Sequence, residues 1–225
     1  MKFLKLAVII GAVALFVSPS LQAGTTAFNF SNCAELTPPL PGCPPPNLDA
    51  GTNHLTYTSG GLTVGAYGFT TSRNPIDLYI KNLGTDETGL GTVIDSADHE
   101  ITPDDFVNLD LSNLVAQGFF SGTVQIESLQ AGEGYTLCQG PTLGSLGASC
   151  LLTHGTGAGT ISVPITWTAS TDVIRIVGFD NPTLGADILI KGLTVGSPTP
   201  EPATLTLLGV GIFGLAGLRR KVVKN

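Results

Sequence analysis

Charge is scarce in this chain, and positive charge is scarcer still. Only 12% of its 225 residues are Asp, Glu, Lys or Arg, and acids outnumber bases 17 to 10. There is one Met and one Trp. A chain so poor in Lys and Arg lacks the basic patch that nucleic-acid binding requires, so no nucleic-acid partner is expected. Long stretches with helical periodicity are also missing between residues 24 and 197, which argues against a helical bundle and against alternating strands and helices. No Cys-x-x-Cys, His-x-x-His or His-Glu-x-x-His is present, which excludes the usual zinc signatures.

Enzyme signatures are absent in the same way. Gly144-Ser145-Leu146-Gly147 is not the Gly-x-Ser-x-Gly of a nucleophile elbow and reads as a loop. Gly155-Thr156-Gly157-Ala158-Gly159 leads into a strand pattern and lacks dinucleotide-loop spacing. His54, His99 and His154 lie far apart. The chain is therefore not expected to be an enzyme. A secreted hydrolase using paired carboxylates such as Asp86/Glu87 or Asp98/Glu100 is the third reading.

Long apolar runs occur only at the two ends. At the start, Lys2 and Lys5 precede the 12-residue run Leu6–Val17, then Ser18-Pro19-Ser20 and Leu21-Gln22-Ala23. This is the pattern of a secretory signal peptide, residues 1–23, cut after Ala23 by signal peptidase following passage through the Sec translocon. At the other end stand Pro200-Glu201-Pro202, the 16-residue apolar run Ala203–Leu218 and Arg219-Arg220-Lys221. Sixteen residues sit at the short edge of a membrane span, which needs about 17–20. The basic residues can snorkel and mark the cytoplasmic side. A C-terminal transmembrane helix over 203–218 is predicted, with the body on the outside.

Pro200-Glu201-Pro202, the Leu- and Gly-rich run and the basic cluster together resemble the PEP-CTERM sorting signal. The resemblance implies that an exosortase, an integral-membrane cysteine transpeptidase, recognises residues 198–225 and cuts near Pro200-Glu201-Pro202. It also implies a bacterium with an outer membrane and an exopolysaccharide-rich exterior. The precursor would be held briefly in the inner membrane before release to the cell surface or beyond.

The body, residues 24–197, holds four cations (Arg73, Lys81, Arg175 and Lys191) and 16 of the 17 acids, a net charge of −12. Cys33, Cys43, Cys138 and Cys150 suit two local disulfides in an oxidising compartment, with 33–43 and 138–150 the favoured pairing among three. Short Thr-, Val-, Ile- and Leu-rich runs alternate between Gly, Asn, Asp and Pro. They predict nine or ten strands in a two-sheet antiparallel β-sandwich of jelly-roll type. Clear runs are Leu62–Phe69, Asp77–Lys81, Thr123–Glu127, Ile161–Trp167, Asp172–Ile176 and Asp187–Val195, with weaker ones near Leu55, Val93, Phe106 and Tyr135. Pro164 places its run at an edge or bulge. Thr102-Pro103-Asp104-Asp105-Phe106 carries a one-turn helix signal. Trp167, Tyr57, Tyr67, Tyr79 and Tyr135 read as strand core aromatics, with sugar stacking the alternative.

The acid-rich stretch 86–110 has eight carboxylates and no Lys or Arg. Thr85–Gly91 reads as a glycine turn and Asp95–Glu100 as a second loop. Asp86, Glu87, Asp95, Asp98 and Glu100 are candidate oxygen ligands for calcium, without EF-hand spacing. The other reading is a solvated acidic loop. Residues 62–111 further resemble the body of a subset of PEP-CTERM proteins, with Leu78–Lys81, Gly89-Leu90-Gly91, Asp98-His99-Glu100-Ile101 and Val107–Leu111 in matching order. That resemblance implies a sandwich without assigned chemistry. The expected function is a non-enzymatic exported surface or extracellular-matrix protein associated with exopolysaccharide, the alternative a calcium-dependent carbohydrate-binding module.

Overall fold

Alternation of apolar and polar side chains builds most of the fold. In Leu62–Thr70, Leu62, Val64 and Ala66 are buried while Thr63, Gly65 and Tyr67 are half-buried. In Gly159–Thr166 the exposed residues alternate with buried Val163 and Ile165. Side chains at successive strand positions point to opposite faces, so each such strand has one core face.

The computed structural model describes residues 25–40, 47–84, 87–94, 98–130, 133–144, 149–153 (backbone), 159–179 and 187–196. The expected signal peptide with Ala23, the linker and sorting tail with Pro200, Glu201, Pro202, Arg219, Arg220 and Lys221, and also Cys43, Asp86 and Asp95 lie outside the described residues.

Thirteen strands occur among the described residues: β1 Thr25–Asn29, β2 Asn47–Asp49, β3 His54–Ser59, β4 Leu62–Thr70, β5 Leu78–Asn82, β6 Thr88–Thr92, β7 Asp105–Asp110, β8 Ser121–Leu129, β9 Gly134–Gly140, β10 Ser149–Thr153, β11 Gly159–Thr166, β12 Val173–Phe179 and β13 Leu189–Gly196. They form two antiparallel sheets. Sheet A has the order β11-β8-β13-β6-β5-β2, with β1 also on β13; sheet B has the order β10-β9-β12-β7-β4-β3. One apolar core lies between them, including Phe28, Tyr57, Val64, Ile80, Leu90, Leu109, Ile126, Ile176, Ile190 and Trp167. The all-β two-sheet sandwich expected from the sequence is the fold. Among the described residues no helix is long and apolar enough to cross a membrane.

Several local expectations are corrected. Three strands more than the upper estimate are present, β1, β2 and β10, each of five residues or fewer and too short to carry much pattern. Gly89-Leu90-Gly91 is not a turn but the centre of β6, paired with β5 and touching β13. Thr102–Asp105 is not a helical turn. The Asp105 carboxylate accepts from Thr102 N (2.6 Å) and Thr102 Oγ1 (2.8 Å), which closes a turn that leads into β7. The one short α-helix among the described residues, α1, is Ser112–Ala116 instead. Pro164 does sit on the edge strand β11, whose register shifts between Gly159 and Ile161.

Candidate functional site

Residues 98–101 of the acid-rich stretch cross the outer face of sheet A, and glycine makes room for them. Tyr79 and Lys81 on β5 pair with Gly91 and Gly89 on β6. Those two glycines leave a trough beside the two large side chains. A Cβ on Gly91 would strike the carbonyl of His99, and one on Gly89 would lie 2.7 Å from the carbonyl of Ile190. Residues 98–101 cross this trough. His99 stacks on Tyr79 with ring centroids 4.0 Å apart. Ile101 then exchanges backbone hydrogen bonds with Ile188 at 2.8 and 3.2 Å.

This crossing buries Glu100 against Lys81, each only 3% exposed. Lys81 Nζ lies 2.6 Å from Glu100 Oε1 and 2.9 Å from Glu87 Oε2. Ser128 Oγ donates to Glu100 Oε1 at 2.8 Å. His99 and Ser128 both have positive φ, 58° and 67°. That conformation is uncommon outside glycine and is held in place by the surrounding contacts. Burial raises the Glu100 carboxyl above the ordinary carboxylate range, although Lys81 and Ser128 oppose the shift. Burial alone would lower Lys81; hydrogen bonds and charge from Glu100 and Glu87 outweigh it and raise the ammonium. The site therefore keeps Lys81 charged, with one oxygen from each of two carboxylates within 3 Å of its ammonium.

Of the candidate calcium ligands, Glu87, Asp98 and Glu100 lie among the described residues. Glu87 and Glu100 converge on an ammonium of the chain itself, at the point where a cation between them would sit. Asp98 is exposed. Among the described residues no group of three or more His, Cys, Asp or Glu is arranged to hold a metal. The carboxylates of Asp98 and Glu100 occupy different environments, one exposed and one buried. Asp105 is also buried, bonded to Thr92 Oγ1 and to Thr102, and burial raises its carboxyl above the usual range. A second ion pair joins half-buried Lys191 to fully buried Glu127, whose Oε1 also accepts from Thr160 Oγ1 at 2.7 Å.

Sheet B carries a different polar row on its outer face. Cross-strand pairing aligns His54, Tyr67, Asn108, Arg175, Cys138 and Cys150 on β3, β4, β7, β12, β9 and β10. His54 and Tyr67 stack in parallel at 4.1 Å. The Arg175 guanidinium lies 5.5 Å from the Phe106 ring centre and donates to Cys138 Sγ at 2.7 Å. Asn108 between them is fully buried, and among the described residues neither amide atom has a hydrogen-bond partner. A buried amide in this state costs about 1–3 kcal/mol.

Sequence reasoning singled out Glu87 and Glu100 but missed their partner Lys81. The signal for it was the rarity of cations in the body. Asn108 had none, since Phe106–Asp110 reads as an ordinary alternating strand. Of the aromatics, Trp167, Tyr57 and Tyr135 are in the core. Tyr67 and Tyr79 instead stack on histidines at outer faces. Among the described residues no cysteine is free, and Cys138 pairs directly across from Cys150 in the β9–β10 register.

The PEP-CTERM protein-sorting motif is matched at residues 198–221. No curated protein and no solved structure matches the chain. The chain carries this sorting motif, which marks an exported protein of the cell surface or exterior whose processing partner is an exosortase.

Proposed function

We propose that this carrier of the PEP-CTERM motif is a non-enzymatic exported surface or matrix protein, held in the membrane by its tail only until an exosortase cuts near Pro200-Glu201-Pro202. The single observation that carries the reading is the motif itself, at residues 198–221, directly behind a β-sandwich. The signal-peptide pattern ending at Ala23 and the basic stop Arg219-Arg220-Lys221 agree with it. The buried Glu100 and Asp105 have structural tasks, one binding Lys81 and the other a turn, which fits a scaffold rather than an acid–base pair. The oxidising destination suits disulfides 33–43 and 138–150, the second spanning direct cross-strand partners. Mass spectrometry of the mature protein from cells with and without the exosortase tests the reading. Loss of residues after about 202 in the first and retention in the second is expected; identical C-termini would refute it.

A further inference from the structure

We infer that the end of the sandwich from which both chain termini leave is a lipid-facing surface, resting on the membrane while the precursor is anchored. The inference rests on the anchored-precursor reading above. It begins with one register. Thr25, the first residue of β1, is the cross-strand partner of Gly196, the last of β13. The segments before residue 25 and after residue 196 therefore leave sheet A side by side. Two neighbouring strands finish at the same level, since Val195 pairs with Gly122 and Ser121 with Thr166.

This end is chemically unlike the rest of the body. An open groove of about 490 Å³ runs along it, lined by Thr25, Ser121, Thr123, Pro164, Thr166 and Thr194 among others, none of them charged. The β8 and β11 residues that line it, Ser121–Thr123 and Pro164–Thr166, carry no charge, and along β8 the first acid is buried Glu127, which pairs with Leu189 at the opposite end. Half-buried Asp110 and Asp172 stand at the sheet B side of this end. In a body of net charge −12, an uncharged groove meets anionic headgroups with less repulsion than the acid-rich loops do. Its hydroxyls can donate to phosphate oxygens.

The same end also displays an apolar side chain. Phe120, just before Ser121, is 49% exposed. Its backbone is fixed, because its carbonyl accepts from Trp167 N at 3.0 Å and the Phe119 carbonyl accepts from Trp167 Nε1 at 2.9 Å. Five residues separate Gly196 from Pro202, so six steps along the chain reach at most about 20 Å at about 3.1–3.6 Å per residue. Across so short a tether even a weak contact is populated, because the effective concentration is high.

The test uses the full chain in vesicles of phosphatidylethanolamine and phosphatidylglycerol with brominated acyl chains. In a Trp167→Phe background, Phe120→Trp is compared with Phe179→Trp. Phe179 is 40% exposed and lies at the other end of β12. Bromine quenching at position 120 at least about threefold that at 179 is expected. Equal quenching, with the chain still pelleting after an alkaline wash, overturns the lipid-facing end and leaves anchoring intact. Release by the wash overturns anchoring, and this inference with it. Because Trp167 is a core residue, hydrogen exchange of the unmutated chain gives a second readout. Exchange at residues 118–122 and 167–171 should slow in vesicles relative to detergent micelles, while that at 134–136 should not; no difference between the two ends overturns the proposal.

Discussion

Lys81 and Asn108 are both buried polar residues on outer faces of the sandwich, one on each sheet, and their situations are opposite. Lys81 meets two carboxylates within 3 Å. Asn108 meets no hydrogen-bond partner at either amide atom among the described residues. A buried charge survives only when it is paired, and removing one partner is far worse than never having had the pair. A buried neutral amide without partners is a standing penalty, which an apolar side chain would relieve. The first site therefore reads as architecture. The second is the place where the fold tolerates a loss.

The largest effect should come from breaking the satisfied site. Lys81→Met should destabilise the protein by about 3–5 kcal/mol, because Glu100 is left buried and charged. Lys81→Met combined with Glu100→Met should recover to within about 1 kcal/mol of the parent, since the uncompensated charge is gone. Urea unfolding followed by circular dichroism measures both; equal stability of the single and double variants would dismiss the ion pair as a structural element. Next in size, Gly91→Val should cost about 2–3 kcal/mol by driving the His99 carbonyl off sheet A. Its thermal unfolding should fall well below that of a Val placed at Gly61, where no atom lies within 4 Å, once the strain of that glycine's positive φ is allowed for.

Acid probes buried carboxyls outside both sites. Burial raises the carboxyls of Asp105 and Glu133. Each binds its proton more tightly folded than unfolded. Its contribution to stability is complete below the ordinary carboxylate range and is lost as pH rises through the raised folded value. The melting temperature should thus rise as pH falls from 7 toward 5, and Asp105→Asn should flatten that rise. A melting temperature that declines steadily over this window would contradict the assignment. The smallest effect has the opposite sign to the first. Asn108→Leu should stabilise the protein by up to about 1 kcal/mol; marked destabilisation would mean that the amide is satisfied after all.

How much of this was legible in the sequence follows from side-chain pattern. Leu62–Thr70 and Gly159–Thr166 announce their faces by alternation, and Pro164 announces an edge because it has no N–H for a ladder. The sorting tail was legible because its three parts are contiguous. Gly89-Leu90-Gly91 was misread because glycine shows no face, and its meaning lies in what crosses above it. The Lys81–Glu100 contact joins residues 19 apart through a loop crossing, which no periodicity encodes. Nothing in the sequence order shows that Lys81 lies between Glu87 and Glu100.

The pairing of Thr25 with Gly196 also sets an order of events. β13 holds β1, β6 and β8 together in sheet A, so the earliest described strand waits for the last. Contacts of such long sequence separation form late and slowly. A chain threaded outward from its N-terminus cannot close sheet A until residue 196 has emerged, only a few residues ahead of the sorting motif. Maturation of the fold and presentation of the cleavage signal are thereby synchronised by connectivity alone.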